Sequence, residues 1–122
     1  MPSSVSATLA PMATGGAGKV TLDDLLERVA GYAPAAEREA VLGLIRRAHE
    51  VAERAHGDQN RLSGEPFIQH PLSVALLLAD LHLDAEAIAA GLLHDSVEDT
   101  RLSLSAIRKS FGADVAELVD GL

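Results

Sequence analysis

Ile88-Ala89-Ala90-Gly91-Leu92-Leu93, running directly into His94-Asp95-Ser96-Val97-Glu98-Asp99-Thr100, is the stretch whose reading decides the fold. Its first six residues are apolar on every side of a helical wheel, the pattern of a helix enclosed by others rather than laid on a surface. Asp84 stands where it can cap that helix, which is predicted to run through Ile88 to about Val97. At about 3.6 residues per turn, His94, Asp95, Glu98 and Asp99 share one sector of its surface, because their offsets are i, i+1, i+4 and i+5. Three carboxylates therefore crowd the C-terminal end of a buried helix, where the macrodipole is already negative. Each costs stability there unless a cation offsets it. Imidazole beside carboxylate suits manganese, iron or zinc. A lone histidine in this place would read as an ordinary core residue, and lone acids as a solvated helix end. A His-Asp pair after a fully apolar run, with two more acids one turn on, favours the metal.

A metal needs further ligands. His70, between a polar loop and Pro71, ranks first as the third, and His56 second; His49 and His82 read as structural. Outward from the central stretch the signals are all helical. Thr21 caps a first helix with Leu22, Leu25, Leu26 and Val29 on one face, and Gly31 stops it. Pro34 fits the first turn of a longer helix that carries Val41, Leu44, Ile45, Ala48, Val51, Ala52 and Ala55 inward and ends at Gly57. Residues 58–66 are loop, Pro71 opens a third helix, Ser103 caps a fifth closed by Gly112, and Ala113 to Val119 begin a sixth. No segment alternates with period two and no repeat is visible, so the fold class is all-α.

The remaining composition narrows the function classes. The 122 residues suit one domain, 48% apolar and 23% charged, with aromatics at only 2%, so alanine and leucine must build the core. There is no cysteine, which excludes thiolate chemistry and fits a reducing cytoplasm. No apolar run of about 18 residues is present to span a membrane. The formal charge of −8 argues against a sequence-independent nucleic-acid binder. Residues 1–20, rich in Ser, Thr, Ala and Gly, read as a flexible tail ahead of a domain over 21–122. Within the tail, Gly15 to Val20 imitates a phosphate-binding loop but has Ala13 where glycine is required and Val20 where a hydroxyl is required.

Together, Ala55-His56, then Gln59-Asn60-Arg61-Leu62-Ser63-Gly64-Glu65-Pro66-Phe67-Ile68-Gln69-His70-Pro71, then Gly91 to Thr100, Phe111-Gly112 and Leu118-Val119-Asp120-Gly121 resemble the hydrolase domain of the RelA/SpoT homologue (Rel) family. These are bacterial stringent-response enzymes that make and degrade (p)ppGpp, and they belong to the HD superfamily of metal-dependent phosphohydrolases. The resemblance implies an HD-like helical bundle, incomplete at its C-terminus. It implies Mn2+ held by His70, His94 and Asp95, Glu98 and Asp99 as the acidic pair at the attacking water, and Arg61 and Ser63 on the guanosine nucleotide. The implied activity is hydrolysis of the 3′-pyrophosphate of ppGpp or pppGpp to GDP or GTP, as part of a bifunctional synthetase/hydrolase.

Two departures from the family pattern stand out. Leu62 replaces a basic residue that the family usually carries after the loop arginine. The family's fourth metal ligand, an aspartate, belongs downstream of Leu122. The resemblance therefore leaves two expectations: an enzyme domain, or a truncated module retained for nucleotide binding or protein contact. A phosphohydrolase for deoxynucleoside triphosphates is a third reading, disfavoured by the Arg61 to Pro66 loop. Arg46, Arg47, Arg54 and Arg61 are candidate cations for a polyanionic substrate, although the first three also fit a solvated helix face beside Glu50 and Glu53. A truncated domain is further expected to leave apolar surface around Leu92 and Leu93 exposed for self-association.

Overall fold

The computed structural model describes residues 19–57, 64 and 66–121, and among these every regular element of more than a turn is a helix. In chain order they are α1 (Leu22–Ala30), a single 3-10 turn (Ala35–Glu37) leading into α2 (Arg38–His56), α3 (Gln69–Asp80), α4 (Ala85–Asp99), α5 (Leu104–Phe111) and α6 (Ala113–Gly121). The start signals at Thr21, Asp84 and Ser103 are used as expected, whereas α2 begins only at Arg38, after Pro34 and the 3-10 turn, and α3 at Gln69, two residues before Pro71. Thr21 forms a reciprocal capping box with Asp24, and the Asp84 and Ser103 side chains accept from the backbone N–H of Ala87 and Ala106. Gly57 (φ 59°) and Gly112 (φ 94°) end α2 and α5 in backbone that a β-carbon disfavours. Gly31 behaves differently. It caps α1 where expected but stays right-handed at φ −67°, and the chain leaves the helix through turn bonds from Tyr32 and Ala33 to Val29.

α4 is the axis of the fold, packed against α2, α3 and α6, while α1 closes over α2 and α3, and α5 pairs with α6. Ile88, Ala89, Ala90, Gly91, Leu92 and Leu93 are all buried, as the apolar wheel predicts. The expectation of exposed apolar surface around Leu92 and Leu93 is thereby overturned: both are 0% exposed. The helices present suffice to enclose α4, with Val115, Ala116 and Val119 of α6 in the same core as Ile45, Leu72 and Ile107. Exposed apolar side chains lie instead at Leu77 (65%) on α3, at Leu81 (71%) and Leu83 just after it, and at Leu118 on α6.

The α3–α4 crossing is tight because Gly91 lies in it. A β-carbon at Gly91 would stand 2.8 Å from Leu78 Cδ1 and 3.8 Å from Val74 Cγ1. Gly91→Val is expected to lower stability by about 1–3 kcal/mol, the usual cost of overfilling a packed contact, which outweighs the smaller gain from removing a glycine inside a helix. A lower urea midpoint at unchanged slope is the expected reading.

His49, half-buried on α2, has its pKa lowered by burial, with Glu53 opposing the shift. The fold thus prefers the neutral ring. Above the unfolded value of 6.5 that preference contributes nothing adverse. As the pH falls through that value the unfolded chain takes up a proton first, and stability declines until the folded ring is protonated too. His49→Gln is expected to flatten this part of the stability profile, measured as denaturation midpoints at about pH 7.5 and 5.5. No helix among the described residues is long and apolar enough to cross a membrane.

The expected tail over 1–20 lies outside the described residues except for Lys19 and Val20. Val20 is tied down, donating its N–H to Gln69 Oε1 (3.0 Å) and accepting from Gln69 Nε2 (2.9 Å).

Candidate metal centre

The site is assembled where the end of α4 meets the start of α3. His94 and Asp95 lie in the penultimate turn of α4, and their side chains keep 21% and 22% of their exposure. The His94 Nδ1 is 2.8 Å from the Gly91 carbonyl. A carbonyl only accepts, so Nδ1 carries a proton and Nε2 is the nitrogen turned toward the trio. That Nε2 lies 3.0 Å from Asp95 Oδ1. On the other side, His70 Nε2 lies 3.4 Å from Asp95 Oδ2, and the two imidazoles are 6.3 Å apart between centroids, tilted by 58°.

His70 reaches this position because α3 begins one residue before it. Pro71 falls in the first turn, where a missing N–H breaks no helical bond. The Gln69 side chain, clamped to both backbone groups of Val20, fixes that first turn against the entrance to α1. The sequence reading missed Gln69: a polar residue whose partner is 49 positions away leaves no local signal.

One ligand atom from each of His70, His94 and Asp95 lies within 4.8 Å of the others. Two imidazoles and a carboxylate at such separations can share a proton or hold a cation between them. Metal bonds of about 2.0–2.2 Å place neighbouring ligand atoms about 3.0–3.5 Å apart, which is the spacing from Asp95 to each histidine. The donor set therefore fits a divalent ion of the kind that takes nitrogen and oxygen together.

Glu98 and Asp99 occupy the next turn of α4, both exposed, outside that trio but on the same end of the helix. Thr100 follows as the C-cap, its hydroxyl donating to the Ser96 carbonyl at 2.5 Å and accepting from the Leu102 N–H. This bond ends α4 immediately after the acids and satisfies one of its last carbonyls.

The other candidates separate. His56 is buried (3% exposed) at the end of α2, stacked on Phe67, and is not part of the trio. His82 stacks on Tyr32 with centroids 4.5 Å apart, at the far end of α3. Arg47 lies over the Phe111 ring and donates to the Ser110 carbonyl, so it decorates α5. Arg54 pairs with Glu50 at 3.3 Å on the solvated face of α2, and Arg46 is exposed on the same helix. Arg61 and Ser63, expected at the nucleotide, lie outside the described residues.

An all-helical domain with adjacent histidine and aspartate at the end of its central helix, completed by a histidine from the preceding helix, defines the class: the chain belongs to the HD domain family, whose model matches residues 48–122. Within that class it is similar to a part of several much longer proteins. It is 46% identical over 105 residues to the guanosine-3′,5′-bis(diphosphate) 3′-pyrophosphohydrolase of Aquifex aeolicus, covering 86% of this chain and 14% of that protein. It is 48% identical over 101 residues to a GTP pyrophosphokinase of Streptomyces coelicolor, covering 83% and 12%. To the GTP pyrophosphokinase rsh of Brucella ovis it is 42% identical over 99 residues, covering 81% and 13%. The chain thus spans about one-eighth of the length of these curated relatives.

Proposed function

We propose that this chain contains the metal-binding core of a (p)ppGpp 3′-pyrophosphohydrolase, with Mn2+ as its ion. The observation that supports the reading most is the convergence of His70, His94 and Asp95 from two helices. In the reaction, one water adds to the phosphorus attached to the 3′ oxygen and the P–O3′ bond breaks. ppGpp gives GDP and pyrophosphate, and pppGpp gives GTP and pyrophosphate. A divalent ion held by the three residues would offset phosphoryl charge and lower the pKa of water. Asp95 supplies the negative charge of the trio, while the His94 proton on Nδ1 is committed to Gly91 and keeps Nε2 free as a donor atom. Glu98 and Asp99, one turn on and without a described partner, are the groups able to orient the attacking water and accept its proton. Arg61 and Ser63 contribute to holding the guanosine nucleotide in this reading. Cytoplasmic location accompanies it, since the substrate belongs to the nucleotide pool.

A second reading has one observation in its favour. Three donors rather than four converge among the described residues, which suits an ion held weakly and a module that binds nucleotide without rapid turnover. Pyrophosphate release from ppGpp, with and without added Mn2+, tests both, with dGTP as the comparison substrate. Slow Mn2+-dependent release that His94→Ala abolishes is the expected result. Nucleotide binding with no release under any metal moves the assignment to the binding module, and preference for dGTP overturns the substrate class.

A further inference from the structure

His56 is a buried polar side chain that the proposed chemistry leaves unused. It is the last residue of α2 and 3% exposed, and its Nδ1 is enclosed without a hydrogen-bond partner among the described residues. Its Nε2 makes a single long contact, 3.4 Å, to Ser96 Oγ on α4. Its ring lies nearly parallel to Phe67, 5° between planes and 5.2 Å between centroids. Phenylalanine in its place would stack equally well and bury no orphaned nitrogen, so packing alone does not account for a histidine. A buried polar group with an unmet partner calls for a separate explanation.

The two neighbours of the ring, at Nε2 and on its face, point to a role for it. Ser96 directly follows Asp95 and is wholly buried. Phe67 stands three residues before His70, and its carbonyl accepts the His70 N–H at 3.3 Å. The ring of His56 therefore touches both elements that bring ligand atoms to the trio, on the buried side of each. We propose that His56 is a positioning residue: by holding Ser96 through Nε2 and Phe67 through its ring face, it sets the separation between His70 on α3 and the His94–Asp95 pair on α4. This rests on the metal reading above only for its consequence, since the positioning itself needs no ion.

The test separates the two. In the metal-free 122-residue chain, the ring resonances of His70 and His94 are read by long-range nitrogen–proton correlation NMR. His56→Phe keeps the stack and removes Nε2, and Ser96→Ala removes only the hydroxyl. Each is expected to shift and broaden the His70 ring signals, with the thermal midpoint unchanged or raised in His56→Phe and modestly lowered in Ser96→Ala, which leaves Nε2 without its partner. Each is also expected to weaken Mn2+ binding by about tenfold, the lower end of what losing an outer-shell partner costs. The double variant should lose no more than either single one, because both cut the same link. Unchanged His70 ring signals in His56→Phe and in Ser96→Ala overturn the proposal. If His56→Phe fails to fold, Ser96→Ala decides alone. If the parent chain binds no Mn2+, the metal reading falls, and the metal-free ring signals still decide for or against His56.

Discussion

Asp95→Asn is expected to cut the affinity of the chain for Mn2+ by more than about 100-fold, since loss of an outer-shell partner alone costs 10–100-fold, and to make the metal-free chain slightly more stable. The two effects have opposite signs for one reason. Asp95 sits near the C-terminal end of α4 with Glu98 and Asp99 on the following turn, all acids at the negative pole of a helix. Removing one charge there relieves about 0.3–1 kcal/mol of repulsion in the absence of an ion. The same carboxylate stands between both imidazoles, at 3.0 Å from His94 and 3.4 Å from His70, so its charge lies at the middle of the trio. At a metal concentration a hundred times the dissociation constant, the parent chain gains about 2.7 kcal/mol of stability, or roughly 10–20 °C for a domain of this size. Asp95→Asn should lose that metal-induced rise almost entirely. The measurement is a pair of thermal melts, with and without Mn2+, on both proteins. A metal-induced rise of equal size in both would remove Asp95 from the centre and the centre from the reading.

How much of this the sequence discloses depends on how local each signal is. Caps at Thr21, Asp84 and Ser103 and the glycines at 57 and 112 act within a turn of where they stand, and all five place their boundaries correctly. The apolar wheel of Ile88 to Leu93 announces a central helix because no solvent-facing side is left on it. What encloses that helix is a different matter. The sequence announces a sixth helix at Ala113 but not what it packs against, so the burial of Leu92 and Leu93 against neighbours present in the chain runs against the exposure expected for them. In the site the same division holds. His94 and Asp95 declare themselves by context on one helix. His70 is legible through Pro71, which marks a helix start and so a side chain at an end rather than along a face. Gln69 and Ser96 carry no such mark: their partners, Val20 and His56, lie 49 and 40 residues away, and only the folded chain pairs them.

Glu98→Gln and Asp99→Asn are expected to do what Asp95→Asn does not: leave Mn2+ affinity within a few-fold of the parent and slow pyrophosphate release by about 100-fold or more, the range attached to a positioned general base. Both acids are exposed on the last turn of α4 and outside the His70–His94–Asp95 trio. Neither is needed to hold the ion in this reading, and the fold draws little from them. Removing either charge should indeed raise stability slightly, by the same helix-pole argument that applies to Asp95. In the proposed reading their role is to act on a water beside the ion. The amide variants keep the shape of the side chain while removing its charge and its ability to accept a proton, so a drop in turnover at constant nucleotide affinity is the diagnostic pattern. Of the two, Glu98 stands four residues after His94 and three after Asp95, stacked above the trio on the helix surface, while Asp99 is turned one position further round. Glu98→Gln is therefore expected to show the larger loss. Single-turnover rates with ppGpp at saturating Mn2+, together with nucleotide binding measured in parallel, distinguish the outcomes. Equal losses of turnover and of Mn2+ affinity would make Glu98 a ligand instead, and unaltered turnover in both variants would leave the attacking water to a group beyond α4.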